Sequence, residues 1–336
     1  NKSRLGANAV LSVSLACAKA AAASQGVPLF KHIARLVGRK EDRYLIPLPM
    51  CNLVNGGKHG AGTLTIQEFM LQPLGAKTFG EAIRWVCEIY YTLKNLLSKT
   101  FGENATLIGD EGGFGGVKGE TRDVLNVLEK AVEETGYSLG EEVVIALDAA
   151  ASEFYDPSSR VYQLDGKNLA VDELIDFWVG LVEEYPIKSL EDPINQDDWK
   201  SWKKLTQRIG DGVIIVGDDL LTTSPKRIRR ALEERVCSGI LLKPNQVGTL
   251  TECLEAFKLG KLWGTPSVVS HRSGETEDTT ISHISVGLSN GQIKTGSVVR
   301  SERNAKYNEL LRIEEFLGDK ARFVGEGFRD VWKDMW

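Results

Sequence analysis

Along most of this chain, short apolar runs alternate with longer segments whose apolar positions recur every three or four residues. The short runs read as buried strands and the longer ones as amphipathic helices. Strands are expected at 44–51 (YLIPLPMC), 64–72 (LTIQEFMLQ), 105–109, 142–147 (EVVIAL), 187–190, 212–216 (GVIIV), 238–242 and 267–269. Helices are expected at 79–99, where Ile83, Val86, Cys87, Tyr90, Leu93 and Leu97 share a face, and at 121–135, 171–184, 197–207, 223–234, 248–259 and 273–288. An alanine-rich stretch near the start, GANAVLSVSLACAKAAAAS, reads as a packed core helix; Ser12, Ser14 and Lys19 interrupt it too often for a membrane span.

Strand–helix alternation of this kind means a parallel sheet with helices outside it. Its extent favours a closed α/β barrel over an open doubly wound sheet. The first two strands have no helix between them, so the barrel begins irregularly. Residues 152–168 (SEFYDPSSRVYQLDGKN) read as a long loop.

The strand ends carry charge. Asp148 follows Ile145–Leu147, Glu191-Asp192 follow Leu190, Asp218-Asp219 follow Gly217, Lys243 follows Leu242, and His271-Arg272 follow Ser270. Taken singly, an acid after a strand is a helix N-cap or a solvated turn, and a lysine there snorkels to water. In a barrel these ends converge on one mouth, where that fold builds its active sites. Three carboxylates with no nearby Cys/His cluster suit a hard divalent ion such as Mg²⁺. Beside a metal-bound substrate, Lys243 reads as a general base whose pKa is lowered by cations and burial. GDEGGFGG (109–116) lacks the ending of a nucleotide-binding loop and reads as a flexible loop laying Asp110 and Glu111 over the site. His59 lies on a second glycine-rich loop. Arg272, followed by a helix N-terminus, makes a phosphate clamp or an ordinary capped turn.

The bulk numbers change this picture little. With 336 residues, 26% charged and 42% apolar, the chain has an ordinary globular balance, and its net charge of −5 gives no reason to expect nucleic acid or an anionic membrane as partner. Cysteines 17, 51, 87, 237 and 253 are scattered and read as reduced cytoplasmic thiols.

GDEGGF, ALDAAASEF, SLEDP, GDDL, LLKPNQVGTL, SHRSGETED and GQIKTG…RSER, in this order, resemble the enolase family. The resemblance implies an irregular eight-stranded TIM-like α/β barrel over residues 43–336, preceded at 1–42 by a helical linker left from the family's N-terminal domain. It implies Mg²⁺-dependent interconversion of 2-phosphoglycerate and phosphoenolpyruvate in the cytoplasm by a homodimer or larger homo-oligomer. By the same resemblance Asp148, Glu191 and Asp218 hold the tightly bound Mg²⁺, Lys243 is the base, and Glu111 with Glu68 beside it is the acid. His59 and His271 line the substrate, Ser270 and Arg272 grip its phosphate, and Lys294 contacts its carboxylate.

The chain also departs from the family pattern. Its sequence starts after the family's mobile serine loop, which supplies a ligand to the second Mg²⁺. A weakly active or non-catalytic scaffold is therefore the alternative reading, and a related barrel dehydratase or epimerase is another. Lys58 adds a cation beside the substrate region, Pro244 confines Lys243 to an extended conformation, and Gly115-Gly116 loosens the Glu111 loop.

Overall fold

The structure is a computed structural model that describes residues 2, 4–39 and 43–335. The boundary drawn after residue 42 lies outside the described residues. Eight strands close a barrel: β1 (Leu48–Asn55), β2 (Glu68–Gln72), β3 (Val144–Asp148), β4 (Ile187–Glu191), β5 (Ile214–Gly217), β6 (Gly239–Leu242), β7 (Ser267–Ser270) and β8 (Gly291–Gly296). β2 runs antiparallel to both neighbours, and the other neighbouring pairs are parallel. The helices are α1 (Ala7–Ser24), α2 (Leu29–Leu36), α3 (Phe79–Phe101), α4 (Thr121–Glu134), α5 (Val171–Glu184), α6 (Trp199–Ile209), α7 (Pro225–Glu234), the single turn α8 (Pro244–Val247), α9 (Leu250–Leu262), α10 (Thr280–Leu288) and α11 (Ser301–Leu317).

Strand alternation divides the apolar residues into two cores. Leu48, Met50, Met70, Val144, Ala146, Ile214, Val216, Leu241 and Val268 fill the barrel, closed below by Leu45, Leu74, Val324 and Phe328. Leu53, Phe69, Ile145, Leu147, Leu190, Ile215, Leu242, Val269 and Ile293 face outward into the helices. The same alternation fixes what stands at the mouth. Two positions beyond an inward apolar residue come Asn52 on β1, Asp148 on β3, Asp218 after β5, Lys243 after β6 and Ser270 on β7.

Several expectations are corrected. Residues 105–109 form no strand; a 3-10 turn (Glu103–Thr106) leads into the Glu111 loop. The last expected helix starts only at Thr280, so residues 273–279 are loop and no helix N-terminus follows Arg272 directly. The expected loop at 152–168 holds a three-stranded antiparallel sheet, 155–156, 161–164 and 167–169. Helix α1 is not a core helix: only Ala18 and Ala22 are fully buried. By length and composition alone α1 is long and apolar enough to cross a membrane. On α3, Val86, Tyr90, Leu93 and Leu97 are buried as expected, whereas Ile83 and Cys87 are half-buried. All five cysteines are free.

Candidate active site

Register builds the site. Glu68 is the Cα partner of Asp148, and Asp148 of Glu191, so three adjacent strands put carboxylates side by side on the inner rim. From β8, Lys294 reaches all three: its Nζ is 3.0 Å from Glu68 Oε1 and 2.8 Å from both Asp148 Oδ2 and Glu191 Oε2. Lys294 is 2% exposed. Burial works against its charge, but these carboxylates outweigh that and hold its pKa well above the ordinary lysine range.

Lys243 ends β6 in an extended conformation (φ −118°, ψ 102°), as Pro244 requires. Its Nζ bonds Asp218, whose other oxygen accepts 2.8 Å from Gln246 Nε2. The expected lowering was for a site holding cations, and the protein groups alone act the other way. Burial acts to lower the Lys243 pKa, but Asp218 and Glu191 raise it further, so the protein alone keeps this amine protonated. After β4, Asp192 adopts a left-handed backbone (φ 43°), held by its carboxylate accepting from the amides of Asp218 at 3.0 Å and Asp219 at 2.7 Å.

Glu111 enters from the loop between α3 and α4. Its Oε2 accepts from Asn52 Nδ2 at 3.1 Å and its Oε1 from Ser273 Oγ at 2.9 Å. His271 Nε2 is 3.6 Å and His59 Nδ1 3.9 Å from Oε1. Burial and the Glu111 charge drive the Glu68 pKa well up. For Glu111 burial works upward, but His271, Lys294, His59 and a hydrogen bond from Glu68 prevail and lower it. The opposite directions favour a proton on the Glu68 side of the pair. Burial keeps His271 neutral.

The Glu111 loop is not loose. Gly115 O accepts from the amides of Ala61 (2.6 Å) and Gly62 (2.9 Å), which fastens it to the His59 loop. A Cβ on Gly116 would lie 1.8 Å from Asn104 O. Lys58 is exposed and pairs with Glu153, which offsets its charge.

The structure thus brings Glu68, Glu111, His59, His271, Asp148, Glu191, Asp218, Lys243 and Lys294 to one mouth. Ser270 is buried, its hydroxyl on His271 O at 3.1 Å, while Arg272 is exposed at the rim. Among the described residues, the groups with ligand atoms within 4.8 Å of one another are Glu68–Glu111–His271 and Asp192–Asp218–Asp219. The expected trio is not such a group, because Lys294 joins two of its members and Lys243 holds the third. Its chemistry still fits a hard cation: all three side chains offer carboxyl oxygens, and Glu191 Oε1 is buried without a hydrogen-bond partner. Sequence reading missed Asn52, Ser273, Gln246 and Arg303. Only Gln246 carried a cue, one helical turn after Lys243.

Known proteins resemble this chain along nearly its whole length. Residues 43–331 match the model of the enolase C-terminal TIM barrel domain, and residues 1–33 that of the enolase N-terminal domain. The chain is 50% identical to an enolase of Solanum lycopersicum over 98% of its own length and 74% of that protein. It is 49% identical to an enolase of Thermococcus gammatolerans (strain DSM 15229 / JCM 11827 / EJ3) over 98% of its length and 76% of that protein. The chain therefore belongs to the enolase family.

Proposed function

We propose that this enolase, a carbon–oxygen lyase, works between Lys243 and the Glu68–Glu111 pair. The placement of these groups carries the reading. β2, with Glu68, and β6, with Lys243, stand four strands apart in a barrel of eight, so the groups face each other across the mouth. Lys243 takes the C2 proton of 2-phosphoglycerate. The C3–O bond breaks as the carboxyl pair gives its proton to the departing hydroxyl, which leaves as water while the C2–C3 double bond forms. Lys294 and the two histidines orient the substrate, and Ser270 and Arg272 hold its phosphate.

Asp148, Glu191 and Asp218 would hold Mg²⁺, whose charge stabilises the extra negative charge that builds on the substrate carboxylate. Enolase-superfamily sites, with a lysine or histidine base and one or two Mg²⁺ ions, are a general example of such chemistry. Asp218 must then release the Lys243 ammonium, which removes the main reason for its raised pKa. A scaffold without chemistry has no need of buried charges in this number. Family membership also supports a soluble glycolytic role in the cytoplasm and a homo-oligomer, which light scattering checks.

The test is phosphoenolpyruvate formation from 2-phosphoglycerate, followed by ultraviolet absorbance with and without Mg²⁺, for the chain and for Lys243→Ala. Mg²⁺-dependent turnover lost in the variant supports the proposal. A folded protein that binds Mg²⁺ and forms no product sinks it.

A further inference from the structure

We propose that Arg303 is a positioning residue for the enolase reaction: it fixes His271 as the neutral ring with hydrogen on Nε2, aimed at Glu111. The inference rests on the assignment of Glu111 to the acid pair. Arg303 lies in the first turn of α11 and is 1% exposed. Its Nη1 donates to His271 Nδ1 at 2.6 Å and to Arg272 O at 2.8 Å. Its Nη2 donates to Asp110 O at 3.1 Å and to Ser273 O. One guanidinium thus ties the Glu111 loop to the loop after β7.

Donor and acceptor chemistry decides the ring state. A guanidinium has only donors and keeps its charge. The Nδ1 beside it must therefore offer a lone pair, which excludes both the imidazolium and the Nδ1–H ring. The hydrogen stands on Nε2, the nitrogen 3.6 Å from Glu111 Oε1. An Nδ1–H ring would instead turn a lone pair toward the carboxylate. The charged groups around the ring come from four directions: Glu111, Arg303, Lys294 on β8 and Lys243 after β6.

The surroundings keep this contact close. Gly296, at φ 87°, leaves the necessary room: a Cβ there would lie 2.7 Å from Arg303 Cδ and from Glu111 O, and 3.2 Å from His271 Cε1. One turn along α11, buried Lys306 bonds Glu275 Oε2 and Glu302 O, both at 2.7 Å, and also Thr276 O. Helix α11 therefore anchors the loop after β7 from behind, and Arg303 is its contact with the mouth.

The test begins with the unaltered protein carrying histidine labelled with heavy nitrogen. It has four histidines, so the spectrum of His271→Asn assigns the ring. An Nε2–H ring near neutral pH is expected; an Nδ1–H ring overturns the inference, and this readout needs no variant of Arg303 to fold. Next, Arg303→Lys should lower kcat on the order of a hundredfold with KM nearly unchanged. In the His271→Asn background the same change should cost less than about twofold more, because the two residues act as a unit. Equal losses in both backgrounds would assign Arg303 a merely structural role and overturn the inference. An Nε2–H ring in a protein without turnover upholds the geometry and counts against the proposed function. Mg²⁺-dependent turnover with an Nδ1–H ring overturns this inference alone.

Discussion

Glu68 and Asp148 are direct Cα partners on antiparallel strands, and the single ammonium of Lys294 lies between their carboxylates. With Glu111, Glu191, Asp218, Asp192 and Asp219 also at this mouth, acidic side chains outnumber its two lysines, Lys243 and Lys294. The imbalance is what a divalent cation would relieve, and it makes the site sensitive to the loss of either lysine.

Lys294→Met leaves three buried carboxylates without their shared counter-charge. In the presence of a chelator the variant should lose about 3–5 kcal/mol in urea unfolding, the cost of breaking a buried ion pair from one side. Added Mg²⁺ should restore part of it. A loss below about 1 kcal/mol would mean that Lys294 is not the principal counter-charge.

Metal removal should itself be visible. At a Mg²⁺ concentration about a hundredfold over Kd, binding to the folded state adds about 2.7 kcal/mol, which a chelator removes. Asp148→Asn and Asp218→Asn should lose most of this increment in calorimetric melts. An undiminished Mg²⁺ effect in both would place the ion elsewhere.

The two halves of the reaction should separate. Exchange of the substrate's C2 hydrogen with heavy water needs Lys243 and not Glu111. Lys243→Ala should abolish exchange and product together. Glu111→Gln should keep exchange while product formation falls about 10²–10⁴-fold, the usual weight of one acid–base group. Exchange by Lys243→Ala at the normal rate would remove Lys243 as base.

His271 sets a pH dependence of stability. Burial holds its folded pKa well below the ordinary 6.5, with Arg303 adding to the effect and Glu111 opposing it. The unfolded chain binds this proton first, so the contribution is full above the unfolded pKa and is lost as pH falls below it. One such group gives a slope of about 1.4 kcal/mol per pH unit in that window. The raised Glu68 and Glu191 act with the opposite sign, so the wild type is compared with His271→Asn between about pH 7.5 and about pH 5.5. Parallel curves would show that His271 titrates normally in the fold.

Gly116→Ala tests the packing of the Glu111 loop. The new methyl meets Asn104 O, so backbone must move, at a cost of about 1–3 kcal/mol by urea unfolding. Turnover should fall as well, because Gly115 next to it holds the His59 loop. A variant with wild-type stability would mean that the loop is as loose as its composition suggests.

The mouth was legible because charge ends successive apolar runs, at Asp148, Asp218 and Lys243; the structure adds that each stands two places beyond an inward apolar residue. Glycine-rich loops marked Glu111 and His59, and the family resemblance then gave these two their roles and supplied Glu68 and Lys294. What sequence could not give is partnership across long separations. Nothing near Arg303 announces a bond to His271, and nothing near Gly115 announces Ala61. Nor could it give the state of Lys243, which depends on a carboxylate arriving from another strand. β8 and α11 were overlooked as elements because Lys294, Arg303 and Lys306 are buried polar residues that interrupt the apolar rhythm.

The reversed direction of β2 has a consequence for how the chain can visit its own mouth. Every traverse of the molecule moves the chain from one end of the barrel to the other. β1 rises to the mouth and β2 descends from it, so a third crossing is needed before any loop can return there. Helix α3, with 23 residues or about 35 Å, makes that crossing. α4 then descends so that β3 can rise. The mouth thereby gains two neighbouring excursions, one carrying His59 and the other Glu111, where a regular unit would supply one. Whether a segment is available for chemistry here is a matter of odd and even: deleting one crossing, however well the rest repacked, would deliver Glu111 to the opposite end of the barrel.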